Sequence, residues 1–381
     1  MKFRVDRDAL ADAVAWTAKS LPARPSVPVL AGALLNVTDG QLTISGFDYE
    51  VSSQVTVDVA ASSSGSALVS GKLLAEIVKA LPAKPVDLAA EGNHIELTCG
   101  SARFTLPTMP VEDYPALPDM PAPAGTIDAA TFAAAVAQTA VAAGRDDTLP
   151  TMTGIQLEFS GTGLSLLATD RYRLAIRDLD WRPDDSDLEV TTLIPAKALS
   201  DTAKALGARG GDVTIALPDV SNGGVGMVGF AAAGRRTTSR VLDGQLPPLR
   251  SFLEVNYATQ LRVPTAELVS VAKRVSLVAE RNSQLRLRFD DDGLVVEAGG
   301  AEDAKASEGM DCEYLGEAMK VAFNSQYLLD GLSAISAPVA VFSFGQPGKG
   351  VVLTGDRDVD DDSGADLGGF KYMLQPLRFE S

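Results

Sequence analysis

VDRDAL (residues 5–10), IDAATF (127–132) and VPTAEL (263–268) open three stretches of the chain in the same way, each a short extended run passing into a helical pattern. Val5 and Leu10 correspond to Ile127 and Phe132, and again to Val263 and Leu268. Further along, Leu42, Leu164 and Leu294 each follow a glycine turn at Gly40, Gly163 and Gly293, and a second helix closes on Leu81, Leu206 and Ile335. A period of about 120 to 135 residues is too long for a solenoid unit and long enough for each copy to bury its own core. The chain reads as three homologous domains, 1–122, 123–253 and 254–381.

Leu10, Ala13, Val14, Thr17 and Leu21 share one stripe of a helix over 7–20, with Asp6 placed to cap it. Asp128 holds the same place in the second copy, and Pro264, suited to a first helical turn, in the third. Alternating runs such as QLTISGFDYEVSSQVTV (41–57) and GLSLLATDRYRLAIRDL (163–179) predict antiparallel strands. Each copy is thus expected to be an α+β unit, an antiparallel sheet with two helices on one face. PALPDMPAPAG (115–125) and PPLRSFLEVNYATQ (247–260) are the expected linkers.

With 381 residues and 46% apolar content, the chain has the composition of an ordered globular protein. MKFRVDRDAL carries charges where a secretory signal needs an apolar run, and no stretch approaches the roughly 20 apolar residues of a membrane span. Cys99 and Cys312 fall in different copies and suit a reducing compartment, so a cytoplasmic location without membrane association is expected. A single histidine leaves little room for imidazole-based catalysis or a zinc site. His94, in EGNHIELTCG, reads as a strand-face residue. GQPGKG (345–350) lacks the spacing and the Ser/Thr of a phosphate loop, DDDG (290–293) lacks the ligands of a calcium loop, and both read as turns. No catalytic residue, cofactor or metal is expected.

The second helices repeat a charge column. Lys72, Glu76 and Lys79 recur as Lys197, Asp201 and Lys204, while the third copy has Gln326, Asp330 and Ser333. Alone, such a column is an ordinary solvated helix face. The net charge of −17 sharpens it, because Lys19, Arg24, Lys72, Lys79, Arg145, Lys197, Lys204, Arg209, Lys273, Arg274 and Arg281 gather on or just after expected helices. Acids crowd instead into turns, at 184–189, 290–292 and 356–362. Sorting of this kind leaves one surface able to tolerate phosphates on an otherwise anionic protein.

The stretches RPSVPVLAGALL (24–35), VSGKLLAEIVKALP, RFTLPTMPVEDYPALP, GRDDTLPTMTGIQLEF, LLATDRYRLAIR, LDGQLPPLR, FNSQYLLDGLSAI and YMLQPLRF resemble, in order and along the whole chain, the bacterial sliding clamp, the beta subunit of DNA polymerase III. The wording GRDDTLP and TDRYR is similar to that of actinobacterial clamps. The resemblance implies a head-to-tail homodimeric ring threaded by double-stranded DNA without base reading, its helix cations facing the DNA. It implies partners in the replicative polymerase alpha subunit, the clamp loader and other proteins with a clamp-binding motif. Their peptide would enter a pocket at Met152, Thr169, Arg171, Tyr172, Arg173, Leu174, Pro247, Asn324, Tyr327, Met373, Leu374, Gln375, Pro376, Leu377 and Arg378. It also places Phe104 and Leu106 against Ser276 and Leu277 of a second chain.

Gln375 stands where the family usually has an apolar residue, Leu249 where an aromatic is common, and Ser251 where a base is frequent. These departures raise the expectation of a variant clamp with a retuned pocket that evades a clamp-binding inhibitor. A repeat-built extracellular binding protein is the alternative from another class, and it lacks support from a signal sequence or paired cysteines.

Overall fold

The computed structural model describes residues 1–22, 24–218, 226–254, 257–278, 284–299, 304–346, 348–356 and 369–378. Two helices arise in each repeat: α1 (Arg7–Lys19) and α2 (Gly71–Ala80), α3 (Ala129–Ala140) and α4 (Ala196–Gly207), α5 (Thr265–Val275) and α6 (Ser325–Ala334). Their starts follow from capping chemistry. The Asp6 carboxylate accepts hydrogen bonds from the backbone of Asp8 and Ala9 at 2.9 and 3.0 Å, and Asp128 accepts from Thr131 at 2.8 Å. Pro264 closes a strand, and α5 begins directly after it. Helix α1 buries Leu10, Ala13, Val14, Trp16 and Thr17. Leu73 is 42% exposed, because the buried stripe of α2 is set by Gly71, Leu74 and Val78 and helical periodicity carries Leu73 off it.

The chain forms two compact bodies, each built across a repeat boundary. The first comprises Met1–Phe132, Arg182–Asp185 and Asp201–Val241. Its described strands make one antiparallel sheet from Arg182–Pro183 at one edge to Ala60–Ser63 at the other. Main-chain pairing stitches the second repeat to the first, with Arg235 opposite Val55 and Ser239 opposite Val51. Behind this seam the buried Arg235 guanidinium lies 4.8 Å over the Trp16 ring and 2.5 Å from the Asp12 carboxylate, which Arg209 also contacts. Burial alone would raise the Asp12 pKa. The two guanidiniums outweigh it and hold the carboxyl below its ordinary value.

The second body comprises Ala133–Trp181, Ser186–Ser200 and Leu242–Ser381. Its larger sheet joins repeats two and three through the strands Arg173–Asp180 and Phe370–Leu374, with Leu174 opposite Met373. Helix α6 covers the face that carries Tyr372, whose hydroxyl donates to the Tyr327 carbonyl at 2.9 Å. A smaller sheet orders Ala306–Met310, Gly293–Ala298, Gln284–Asp290 and Met319–Asn324. Of the expected turns, 290–293 closes a tight hairpin, and within 345–350, where Pro347 lies outside the described residues, the Lys349 amide donates to the Gln346 carbonyl at 3.1 Å; His94 opens a strand. Both expected linkers are shorter than 115–125 and 247–260, because Pro123 pairs with Ala216 and Thr259 with Phe344.

A Cβ at Gly331 would intrude on the Tyr372 ring, so G331A is expected to destabilise the protein by roughly 1 to 3 kcal/mol in urea unfolding. D12N leaves the buried Arg235 without its anion and is expected to cost roughly 1 to 2 kcal/mol at neutral pH. The carboxylate contribution is present above the unfolded pKa of about 4 and is lost as pH falls through the lower folded value, so the gap between wild type and D12N should close on acidification.

Candidate functional site

The TDRYR hairpin owes its shape to one carboxylate. Asp170 accepts from the backbone of Tyr172 and Arg173, both at 3.1 Å, while the Thr169 hydroxyl donates to the Arg173 carbonyl at 2.7 Å. The turn carries Arg171 to φ +80°, a left-handed conformation that costs a side-chain-bearing residue about 1 to 2 kcal/mol. Repeat one has the same device: Asp48 accepts from Glu50 and Val51 at 3.0 and 2.7 Å, and Tyr49 lies at φ +74°.

Beside this hairpin, strand register assembles an apolar floor. Thr169 is opposite Leu174, Leu174 opposite Met373, and Met373 opposite Val352, forming one row on a single face of the sheet. Leu174 and Val352 belong to an apolar cluster with Leu246 and Leu249, against which Met152 and Met373 pack. The Leu246 amide donates to Gln156 at 2.7 Å, fixing the segment that carries the exposed Pro247. Leu374, expected in the wall, is 1% exposed and belongs to the opposite face with Tyr372; the two-residue period of a strand takes it away from the floor. Asn324 spends its side-chain oxygen on capping α6, accepting from Gln326 and Tyr327 at 3.0 and 3.1 Å. Gln375 bonds Tyr172 through its amide and Gly348 through its side chain, each at 2.9 Å. Pro376 is half-buried, Leu377 is 36% exposed with its amide bonded to Ala322, and Arg378 is exposed.

The floor adjoins a cleft of ≈ 950 Å³ lined by Arg145, Met152, Arg171, Tyr172, Arg173 and Tyr327, among others. Arg173 is buried and fully engaged, 2.8 Å from Asp170, 2.7 Å from Asp330 and 4.2 Å over the Tyr327 ring. Burial opposes its charge, but Tyr372, Asp330 and Asp170 outweigh that and raise its pKa. Burial likewise raises Tyr372. Asp170, Asp330 and Tyr372 were absent from the expected set. Asp330 was visible only as the acid of a charge column whose lysines the third copy lacks, and a pairing partner so distant in sequence leaves no local signal.

Lys19, Arg24, Lys72, Lys79, Arg145, Lys197, Lys204 and Lys273 are exposed, and Arg145 and Lys197 line a second cleft of ≈ 420 Å³. Two expected DNA-facing cations are engaged elsewhere: Arg209 with Asp12, and Arg274 with Glu308 at 2.5 Å. Arg281 lies outside the described residues. For the expected chain-to-chain contact, Leu277 is 85% exposed and Ser276 and Phe104 are half-buried, but Leu106 is 1% exposed. Two residues apart on one strand, Phe104 and Leu106 share a face of the sheet. Among the described residues, Glu91, His94 and Glu96 place possible metal-ligand atoms within 4.8 Å of one another on an open hairpin.

No helix among the described residues is long and apolar enough to cross a membrane. The DNA polymerase III beta subunit profiles match in order: N-terminal domain at 1–118, central domain at 126–248 and C-terminal domain at 250–363. The chain is 48% identical to the beta sliding clamp of Streptomyces coelicolor over 99% of both chains. It is 40% identical to the beta sliding clamp homolog GriR of Streptomyces muensis over all of both. A crystal structure of the Pseudomonas aeruginosa clamp bound to griselimycin superposes at TM-score 0.88 with 26% identity, covering both chains completely. Matched in each of its three repeats and along its full length, the chain belongs to the DNA polymerase III beta subunit family, the bacterial beta sliding clamps.

Proposed function

We propose that two copies of the chain close head to tail around duplex DNA and serve as a processivity factor, with 1–122, 123–253 and 254–381 as its N-terminal, central and C-terminal clamp domains. The in-order family match of all three repeats carries this assignment. The protein works without catalysis, in the cytoplasm, and holds DNA by enclosure. Cations such as Lys72, Lys79, Lys204 and Lys273, exposed on helices, soften the approach of phosphates without reading bases. Leu277 and Ser276 of one chain meet Phe104 and Leu106 of the other to form the contact between chains.

Partner proteins, the polymerase alpha subunit and clamp loader among them, dock through a short peptide whose apolar anchor lies on the Leu174, Met373 and Val352 row. An apolar floor flanked by polar side chains suits an extended peptide with one Leu or Phe anchor. Neither a variant clamp nor an extracellular binding protein gains support. Gln375, one of the three departures that suggested a variant, is engaged in holding two neighbouring backbone segments.

Once loaded, the protein should remain on a closed DNA circle at salt concentrations that strip ordinary cationic binders, and leave when the circle is cut; retention on linear DNA with free ends would contradict enclosure. L377A should weaken a polymerase-derived peptide by roughly 1 to 3 kcal/mol in fluorescence polarisation, with little change in unfolding, since Leu377 is already part-exposed. L174A, by contrast, should also lower stability, because Leu174 is 1% exposed.

A further inference from the structure

The seam between repeats one and two carries a counterpart of the apolar floor. Its hairpin is the Asp48 turn, and strand register sets Phe47 opposite Ser52, Ser52 opposite Thr238 and Thr238 opposite Gly229. Thr169, Leu174, Met373 and Val352 hold the same places in the second body. The backbone construction is duplicated, but the side chains are not. Ser52 and Thr238 are buried and hydrogen-bonded to each other at 2.6 Å, and Gly229 leaves its end of the row bare.

That bare end is filled from within the chain. A Cβ at Gly229 would lie 2.5 Å from Met120 Sδ and 2.6 Å from Met120 Cε, so the thioether occupies the space that Val352 takes in the other row. Tyr114 and Leu117 pack with Phe47 at the opposite end, and the linker therefore crosses the whole row. Pro115 and Pro118 favour the extended backbone that this crossing needs. In the second body, Tyr114, Pro115, Leu117 and Met120 correspond to Leu246, Pro247, Leu249 and Phe252. Leu246 and Leu249 reach the apolar cluster, but Arg250–Phe252 then turns as a short 3-10 helix, with Arg250 donating to Asp178 at 2.8 Å. Phe252 is left 56% exposed, whereas Met120 is half-buried on its own row.

We infer that Met120 is a resident occupant that seals the seam of repeats one and two against peptide anchors, so that each chain offers one peptide pocket on a scaffold built for two. This rests on the Leu174 floor being the peptide pocket. A tethered side chain competes at high effective concentration and loses no translational freedom on docking, whereas a free peptide loses it in full. Methionine suits the place because its unbranched thioether fits an irregular gap between a glycine and two hydroxyl-bearing residues.

The test titrates the full-length protein with a polymerase-derived peptide carrying one apolar anchor, by calorimetry and by NMR of methyl-labelled methionine. Wild type should bind one peptide per chain, with the Met373 methyl shifting and the Met120 methyl unmoved. M120A should gain a second site, about 10-fold or more weaker than the first, because Ser52 and Thr238 offer less apolar area than Leu174 and Met373. M120L refills the space and should return to one. G229A should lower the urea midpoint of wild type and leave that of M120A nearly unchanged, which checks the contact without any peptide. A Met120 methyl that shifts with the first peptide, M120A that still binds one peptide per chain, or G229A equally harmful in both backgrounds overturns the seal while leaving the pocket standing. If wild type binds none and M120A binds one, the floor is misread and the seal holds; if neither binds, both fail.

Discussion

Main-chain hydrogen bonding between Arg173–Asp180 and Phe370–Leu374 is the contact on which the candidate site depends. It brings together strands from different repeats and sets Leu174, Met373 and Val352 in one row. The same seam places Arg173 where it can reach Asp330 of α6, so the polar core of the cleft and its apolar neighbour share one register. A one-residue slip would exchange the two faces of the strand, removing Met373 from the floor and bringing Tyr372 out of the core. The first body uses the same construction, Arg235–Arg240 against Val51–Asp58, with Asp12, Arg235 and Trp16 behind it.

Features governed by local chemistry were legible in the sequence. The Asp6 and Asp128 caps, the hairpin at 290–293 and the two helices per repeat all follow from residues close to one another in the chain. Facing and pairing were harder to read. Met373 and Leu374 are both apolar and adjacent, and only the parity of the strand assigns one to the floor and the other to the core under α6. Leu106 shares the parity of Phe104, and its deeper burial is decided by neighbours distant in sequence; Leu73 is exposed because its turn of helix offers more apolar residues than the buried stripe can accept. Arg209 and Arg274 looked like free cations because Asp12 and Glu308 lie far away in sequence. Sequence pattern alone did not mark the proposed peptide pocket; family resemblance did, and strand register brings Leu174, Met373 and Val352 of that proposal into one row.

The electrostatics resolve into two uses of positive charge. Some cations are consumed internally: Arg235 and Arg209 by Asp12, Arg173 by two aspartates, Arg274 by Glu308. Others stand on helix surfaces or at loop tips, where water screens them until a partner approaches. A chain with a net charge of −17 can therefore present locally cationic regions without being cationic as a whole.

The paired aspartate hairpins at Asp48 and Asp170 separate backbone posture from side-chain identity. Since the carboxylate and the amides it holds define the bend, the residue at the apex contributes almost nothing to making it. Tyrosine at one apex and arginine at the other are two answers to an open choice. Duplication has thus given this protein a reusable bracket whose tip can be exchanged to suit a new guest while the scaffold beneath stays unaltered.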